Sequence, residues 1–198
     1  MSSKFLLEVK DLSCHRNFRL VFKGLSFKLQ EKSIVIINGK NGSGKTSLLL
    51  CIAGVLRYQG EIKIKFNYFN GIGYVGHLNA LNELDTVISF LKHWKSVYNF
   101  KGDLSNIISY FNLNKNLDIP INFLSYGQKK MLSFSRLLMV NSKIWLLDEP
   151  ISGLDNQAEL LILNLIKKHC ESGGGVISTS HQIINFKKQK LIVRVNIG

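Results

Sequence analysis

No stretch of this 198-residue chain stays apolar for long. The longest such run, around Leu48 to Leu56, falls far short of the ~20 residues that a helical membrane span requires. At the start, Lys4 precedes only Phe5-Leu6-Leu7 before Glu8 interrupts, so a cleaved leader is not expected. Cysteine is scarce: Cys14, Cys51 and Cys170 lie far apart, are odd in number and form no C-x-x-C pair. That argues against a disulfide framework or a zinc site, and a reducing compartment is the expected setting. Acidic residues are in the minority, 13 against 26 lysines and arginines, for a net charge of +13. Yet the basic residues are scattered as short pairs, such as Lys63 and Lys65, Lys92 and Lys95, and Lys129-Lys130. No long basic run interleaved with aromatics occurs, so the excess reads as a solvated surface, and no nucleic-acid partner is expected.

What is present is the balance of a folded domain, with 45% hydrophobic and 20% charged residues. Alternation of Phe5, Leu7 and Val9 opens the chain as a strand, and Leu20-Val21-Phe22 and Ser26 to Leu29 continue a β-rich start. Ser33 to Asn38 is nearly all apolar, as a strand buried on both faces of a parallel sheet must be. An apolar helix follows from about Gly44 to Ala53, and Glu61 to Phe66 alternates as a half-exposed strand. Helical spacing then appears in Val87, Ile88, Leu91 and Trp94, with Asp85 as the expected cap, and again in Leu104, Ile107 and Phe111. Further helices are expected from Ser125 to Met139 and from Gln157 to Cys170, and strands at Ile144 to Leu147, Val176 to Thr179 and Leu191 to Val195. Strands alternating with helices predict an α/β fold: one domain over 1–198, with a helical subdomain at about 78–140 inserted in its core.

Two motifs carry chemistry. Gly39-Lys40-Asn41-Gly42-Ser43-Gly44-Lys45-Thr46 matches G-x-x-x-x-G-K-[ST] and continues into Ser47. Glycines let the backbone wrap a phosphate closely, and the following helix N-terminus adds positive potential. Lys45 would bridge the β- and γ-phosphates of ATP from an exposed position at the mouth of the loop, and Thr46 would offer its hydroxyl to Mg²⁺. The second motif is Ile144-Trp145-Leu146-Leu147-Asp148-Glu149, an apolar strand delivering two acids at its C-terminal end, where parallel sheets bind ligands. Asp148 can reach the Mg²⁺ shell and Glu149 can address an attacking water.

With these motifs in place, the chain resembles the ABC ATPases, a P-loop NTPase family, over nearly its full length. Leu124-Ser125-Tyr126-Gly127-Gln128 resembles that family's signature sequence, with Tyr126 in place of the usual glycine. The resemblance implies that this segment closes the ATP site of a second copy of the chain in a head-to-tail dimer with ATP sandwiched between the subunits. Ser152-Gly153-Leu154-Asp155 resembles the D-loop that couples the two sites, and His181 resembles the switch histidine that contacts the γ-phosphate. His77 stands where the family places a metal-sensing glutamine, and the adenine-stacking slot falls near Arg16, with His15 and Phe18 as alternatives. Gly76-His77, Asp118-Ile119-Pro120-Ile121 and Ser180-His181-Gln182 are similar to the ATP-binding subunits of haem exporters for cytochrome c biogenesis. This implies a multi-span membrane partner and a peripheral place on the inner membrane, at the cytoplasmic face in a bacterium or the matrix face in a mitochondrion. Two alternatives stand beside this reading: an ATPase for another small export cargo, and a soluble ABC-type ATPase acting on ribosomes or nucleic acid.

Overall fold

The computed structural model describes residues 5–65, 71–77, 81–179 and 192–197, and these pack as two compact units. The first comprises 1–76, 142–150 and 165–198; the second comprises 77–141 and 151–164.

Two sheets build the first unit. β1 (Phe5–Arg16) pairs antiparallel with β2 (Arg19–Gln30) on one side and with β4 (Gln59–Ile64) on the other. The two apolar runs expected as a β-rich start thus form one continuous strand, kept in pairing by several register shifts. The second sheet is parallel, with strand order β5 (Ile72–Val75), β6 (Ile144–Asp148), β7 (Gly175–Thr179), β3 (Ile34–Asn38), β8 (Ile192–Asn196). Every residue of β6 and β7 is buried, as is β3 from Ile34 to Ile37, so their apolar runs follow from lying between two covered faces, with polar residues only at the C-terminal ends of β6 and β7. Leu6, Leu12 and Leu29 pack with Val35, Ile37, Leu146 and Ile177 in one core with α1 (Lys45–Ile52), which buries Leu48, Leu49, Cys51 and Ile52. All three cysteines are buried and none forms a disulfide, and burial, reinforced by Cys14, pushes the Cys51 thiol up to about 12. They are packing residues, not nucleophiles.

Helices form the second unit. α2 (Val87–Val97) buries Val87, Phe90 and Leu91, while α3 (Leu104–Tyr110) starts at Asp103, whose carboxylate accepts the Ser105 N–H at 2.9 Å. The cap of α2 is Thr86, accepting from Ser89 N–H at 3.2 Å, and not the expected Asp85. The reason lies in the chain beside it. Asp85 lies in a bend, its carbonyl accepting the Ile121 N–H at 2.9 Å, next to a bridge between the extended Thr86 and Pro120. The backbone turns helical only one residue later. α4 (Tyr126–Met139) begins with a reciprocal cap: Ser125 Oγ accepts from Gln128 N–H at 3.2 Å, and Gln128 Oε1 accepts from Ser125 N–H at 2.9 Å. α5 (Asn156–Glu171) follows Asp155, whose carboxylate accepts the Ala158 N–H at 2.8 Å; its residues up to Asn164 belong to this unit and those from Leu165 on to the first. No helix among the described residues is long and apolar enough to cross a membrane.

Candidate nucleotide site

The glycine-rich loop leaves the C-terminal end of β3 and enters α1, both within the first unit. Gly44 takes a φ of +102°, a conformation strained for any L side chain, and a Cβ there would stand 2.4 Å from Val21 Cγ1. The loop therefore requires glycine at this point, twice over. Lys45 is buried, only 7% exposed, and its ammonium donates to the carbonyls of Gly39 at 2.9 Å and Lys40 at 3.0 Å. This corrects the expectation of an exposed lysine that packs against nothing: the cation is folded inward because the loop's own carbonyls point at it. Ser43 Oγ is buried with no hydrogen-bond partner among the described residues. An orphaned hydroxyl in a loop of this shape fits an anionic oxygen.

Thr46, the second residue of α1, donates its hydroxyl to Asp148 Oδ2 at 2.7 Å. The loop and the acidic strand end, 102 residues apart in sequence, thus meet at one hydrogen bond. Asp148 is 2% exposed, and its other oxygen accepts from the Thr179 hydroxyl at 2.6 Å. The same Thr179 oxygen accepts the Glu149 N–H at 3.0 Å. Glu149 itself lies in the left-handed region, with φ of +47°. On the neighbouring strand, burial and then the Asp148 carboxylate push the Tyr74 phenol up to about 12, so it stays a neutral hydroxyl.

Does this set fit Mg²⁺? Among the described residues no group of three or more His, Cys, Asp or Glu gathers to hold a metal. A hydroxyl and a carboxylate side by side are hard oxygen donors, suited to an ion whose remaining ligands are phosphate and water. The residues fit.

The sequence profile of the ABC transporter family matches residues 22–152. A cytochrome c biogenesis ATP-binding export protein of Wolbachia pipientis wMel is 37% identical, the match covering 89% of each chain. Its namesake in Reclinomonas americana is 32% identical, with 95% of this chain and 92% of that one covered. The chain belongs to the ABC transporter family, among the cytochrome c biogenesis ATP-binding export proteins. The solved structure of an ATP-binding subunit of an ABC transporter superposes with a TM-score of 0.84, covering 97% of this chain and 88% of that one at 23% identity. The fold is therefore that of an ABC ATPase, and membership in the family makes the chain an ATP-binding ATP hydrolase.

In this ABC ATPase, Gly39 to Ser47, Asp148, Glu149 and Thr179 gather in the first unit. Arg16 lies exposed beside a tight turn in which Asn17 and Phe18 both have positive φ, and Phe18 is wholly exposed. Leu124 to Gln128 and Ser152 to Asp155 belong to the second unit, where they touch. A Cβ on Gly153 would stand 3.1 Å from Tyr126 Cε1, and one on Gly127 4.0 Å from Leu154 Cδ2. Tyr126 keeps 44% exposure, so its ring covers Gly153 without being enclosed. His77 is exposed. His181 lies outside the described residues. Sequence reasoning missed Thr179, which had served only to mark a strand end. No signal in the sequence marked it, because the level pairing of Thr179 with Asp148 depends on the register of β7 against β6.

Proposed function

We propose that this chain is the ATP-hydrolysing subunit of a transporter that exports haem for c-type cytochrome assembly. The observation that carries the catalytic half of the reading is the Thr46–Asp148 hydrogen bond, which joins a phosphate-wrapping loop to a pair of acids. The cargo half rests on kinship with the two cytochrome c biogenesis export proteins. Backbone N–H groups from Gly39 to Ser47 wrap the phosphates of ATP, and Lys45 turns from its loop carbonyls toward the β- and γ-phosphates. Thr46 and Asp148 would hold Mg²⁺, which when bound neutralises phosphate charge. Glu149 orients the attacking water and accepts its proton, with His181 as its partner at the γ-phosphate. Arg16 stacks on adenine, and His77 takes the part usually given to glutamine.

Leu124 to Gln128 would complete the ATP site of a second copy, Ser125 and the α4 N-terminus facing the γ-phosphate, while Ser152 to Asp155 would couple the two sites. The reciprocal cap at Ser125 and Gln128 supports this reading, because it fixes the start of α4 in the free chain. The second unit, centred on about 78–140, is the inserted helical subdomain. The chain sits peripherally on the inner membrane, held there by one or more multi-span subunits.

The deciding experiment is purification of the tagged chain from its native membrane. Recovery of a multi-span subunit, with ATPase activity stimulated by haem in the reconstituted complex, is the expected result. Recovery of ribosomes or nucleic acid instead would sink the proposal.

A further inference from the structure

Thr179 is the last residue of β7 and falls level with Asp148, its register partner on β6. It is fully buried, and its single hydroxyl works in both senses: it donates to Asp148 Oδ1 at 2.6 Å and accepts the Glu149 N–H at 3.0 Å. The remaining Asp148 oxygen, Oδ2, accepts from Thr46 at 2.7 Å. One hydroxyl therefore fixes the side chain of the first acid and the backbone of the second. For Asp148 this settles rotation, because with Oδ1 committed to Thr179 only Oδ2 is presented to the loop. For Glu149 it holds the peptide plane that leads into a backbone state non-glycine residues visit rarely, the left-handed φ of +47°. An N–H held at 3.0 Å keeps that peptide plane from turning, which would move the Cα from which the carboxylate projects.

We propose that Thr179 is a positioning residue for ATP hydrolysis, a hydroxyl bracket that sets the metal-facing oxygen of Asp148 and the aim of Glu149 together. Thr179 need not touch ATP to act, and its loss disturbs both acids at once. The inference rests on the reading of Asp148 and Glu149 given above.

The test compares Thr179→Val, which keeps the shape and strand preference but deletes the hydroxyl, with Thr179→Ser, which keeps the hydroxyl. Binding of a fluorescent ATP analogue is titrated with Mn²⁺ or Mg²⁺ and repeated in EDTA, and hydrolysis is measured alongside in the full chain. Thr179→Val is expected to weaken metal affinity and lower kcat by about 10- to 100-fold each, as loss of a partner behind a metal ligand does. Binding in EDTA should stay unchanged, and Thr179→Ser should recover most of both losses. Wild-type metal affinity and kcat in Thr179→Val would overturn the proposal, and so would equal defects in both variants, which would mean packing alone. If Thr179→Val does not fold, Thr179→Ala enters the same comparison. Asp148→Asn and Glu149→Gln run beside them. Should those two hydrolyse ATP normally, the reading of the acids fails; should they be inactive while Thr179→Val is normal, only the bracket fails.

Discussion

Trp145 and His169 stack face to face, their ring centroids 3.8 Å apart and their planes 8° from parallel. The pair lies inside the first unit, where the Trp145 indole N–H donates to Ser142 Oγ at 3.0 Å. The imidazole fills space that only a glycine leaves open, since a Cβ on Gly174 would stand 2.2 Å from His169 Nε2. That nitrogen is buried with no partner among the described residues. Burial lowers the His169 pKa to about 4, against the opposing pull of backbone hydrogen bonds at Lys143 and Gly175, while the Lys143 charge lowers it further.

Stability should therefore fall in acid. Unfolded His169 takes up its proton below about 6.5, whereas the folded form resists until about 4, so the stability it supports is present above 6.5 and lost as pH drops through that window. The loss approaches about 3 kcal/mol at most. Thermal melts from pH 7 to 4.5 should show the wild type falling more steeply than His169→Phe, which keeps the stack and cannot titrate. Parallel curves would refute the assignment.

Lys45→Met should abolish ATP turnover while the chain still folds. The substitution keeps the buried stem but leaves the Gly39 and Lys40 carbonyls without their donor, at a cost of about 1–3 kcal/mol in urea unfolding. Hydrolysis at the wild-type rate would remove Lys45 from the phosphate site.

For Glu149→Gln, the expected outcome is hydrolysis slowed by about 10²- to 10⁴-fold with ATP binding intact, the scale of a lost general base. Because the proposed dimer closes on ATP and opens on hydrolysis, this variant should also persist as a dimer in Mg-ATP and not in ADP. Light scattering of the variant with each nucleotide, with and without its membrane partner, checks both statements. Undiminished hydrolysis, or no ATP-dependent dimer even with the partner, contradicts the mechanism.

Gly153 has a φ of +72° and lies against the Tyr126 ring, so Gly153→Ala must strain the backbone and push the ring aside. A destabilisation of about 1–2 kcal/mol is expected, along with faster amide exchange across 151–155. Tyr126→Ala should relieve the ring contact and leave only the backbone strain, so the double variant should be less destabilised than the sum of the two single changes. Strict additivity would show that the ring and the turn are uncoupled.

What could be read from the residues alone was local. Gly39 to Thr46 between an apolar strand and an apolar helix left little choice of structure, since glycine spacing and strand burial are set within a few residues. The start of α4 was equally legible, because Ser125 and Gln128 satisfy each other's backbone three residues apart. Where local rules met a distant partner they failed. Asp85 lost the cap to Thr86 because its carbonyl is taken by Ile121, and Lys45 turned inward because the loop's carbonyls converge on it. Thr179 was invisible as a site residue for the same reason. Its meeting with Asp148 depends on the register of β6 against β7, strands separated in sequence by a whole helix and joined by no local hydrogen bond. The sequence determined the kind of chemistry by placing phosphate-binding and acidic motifs at strand ends. Only tertiary register decided which hydroxyls hold the acids, because parallel pairing brings together residues that no short-range interaction connects.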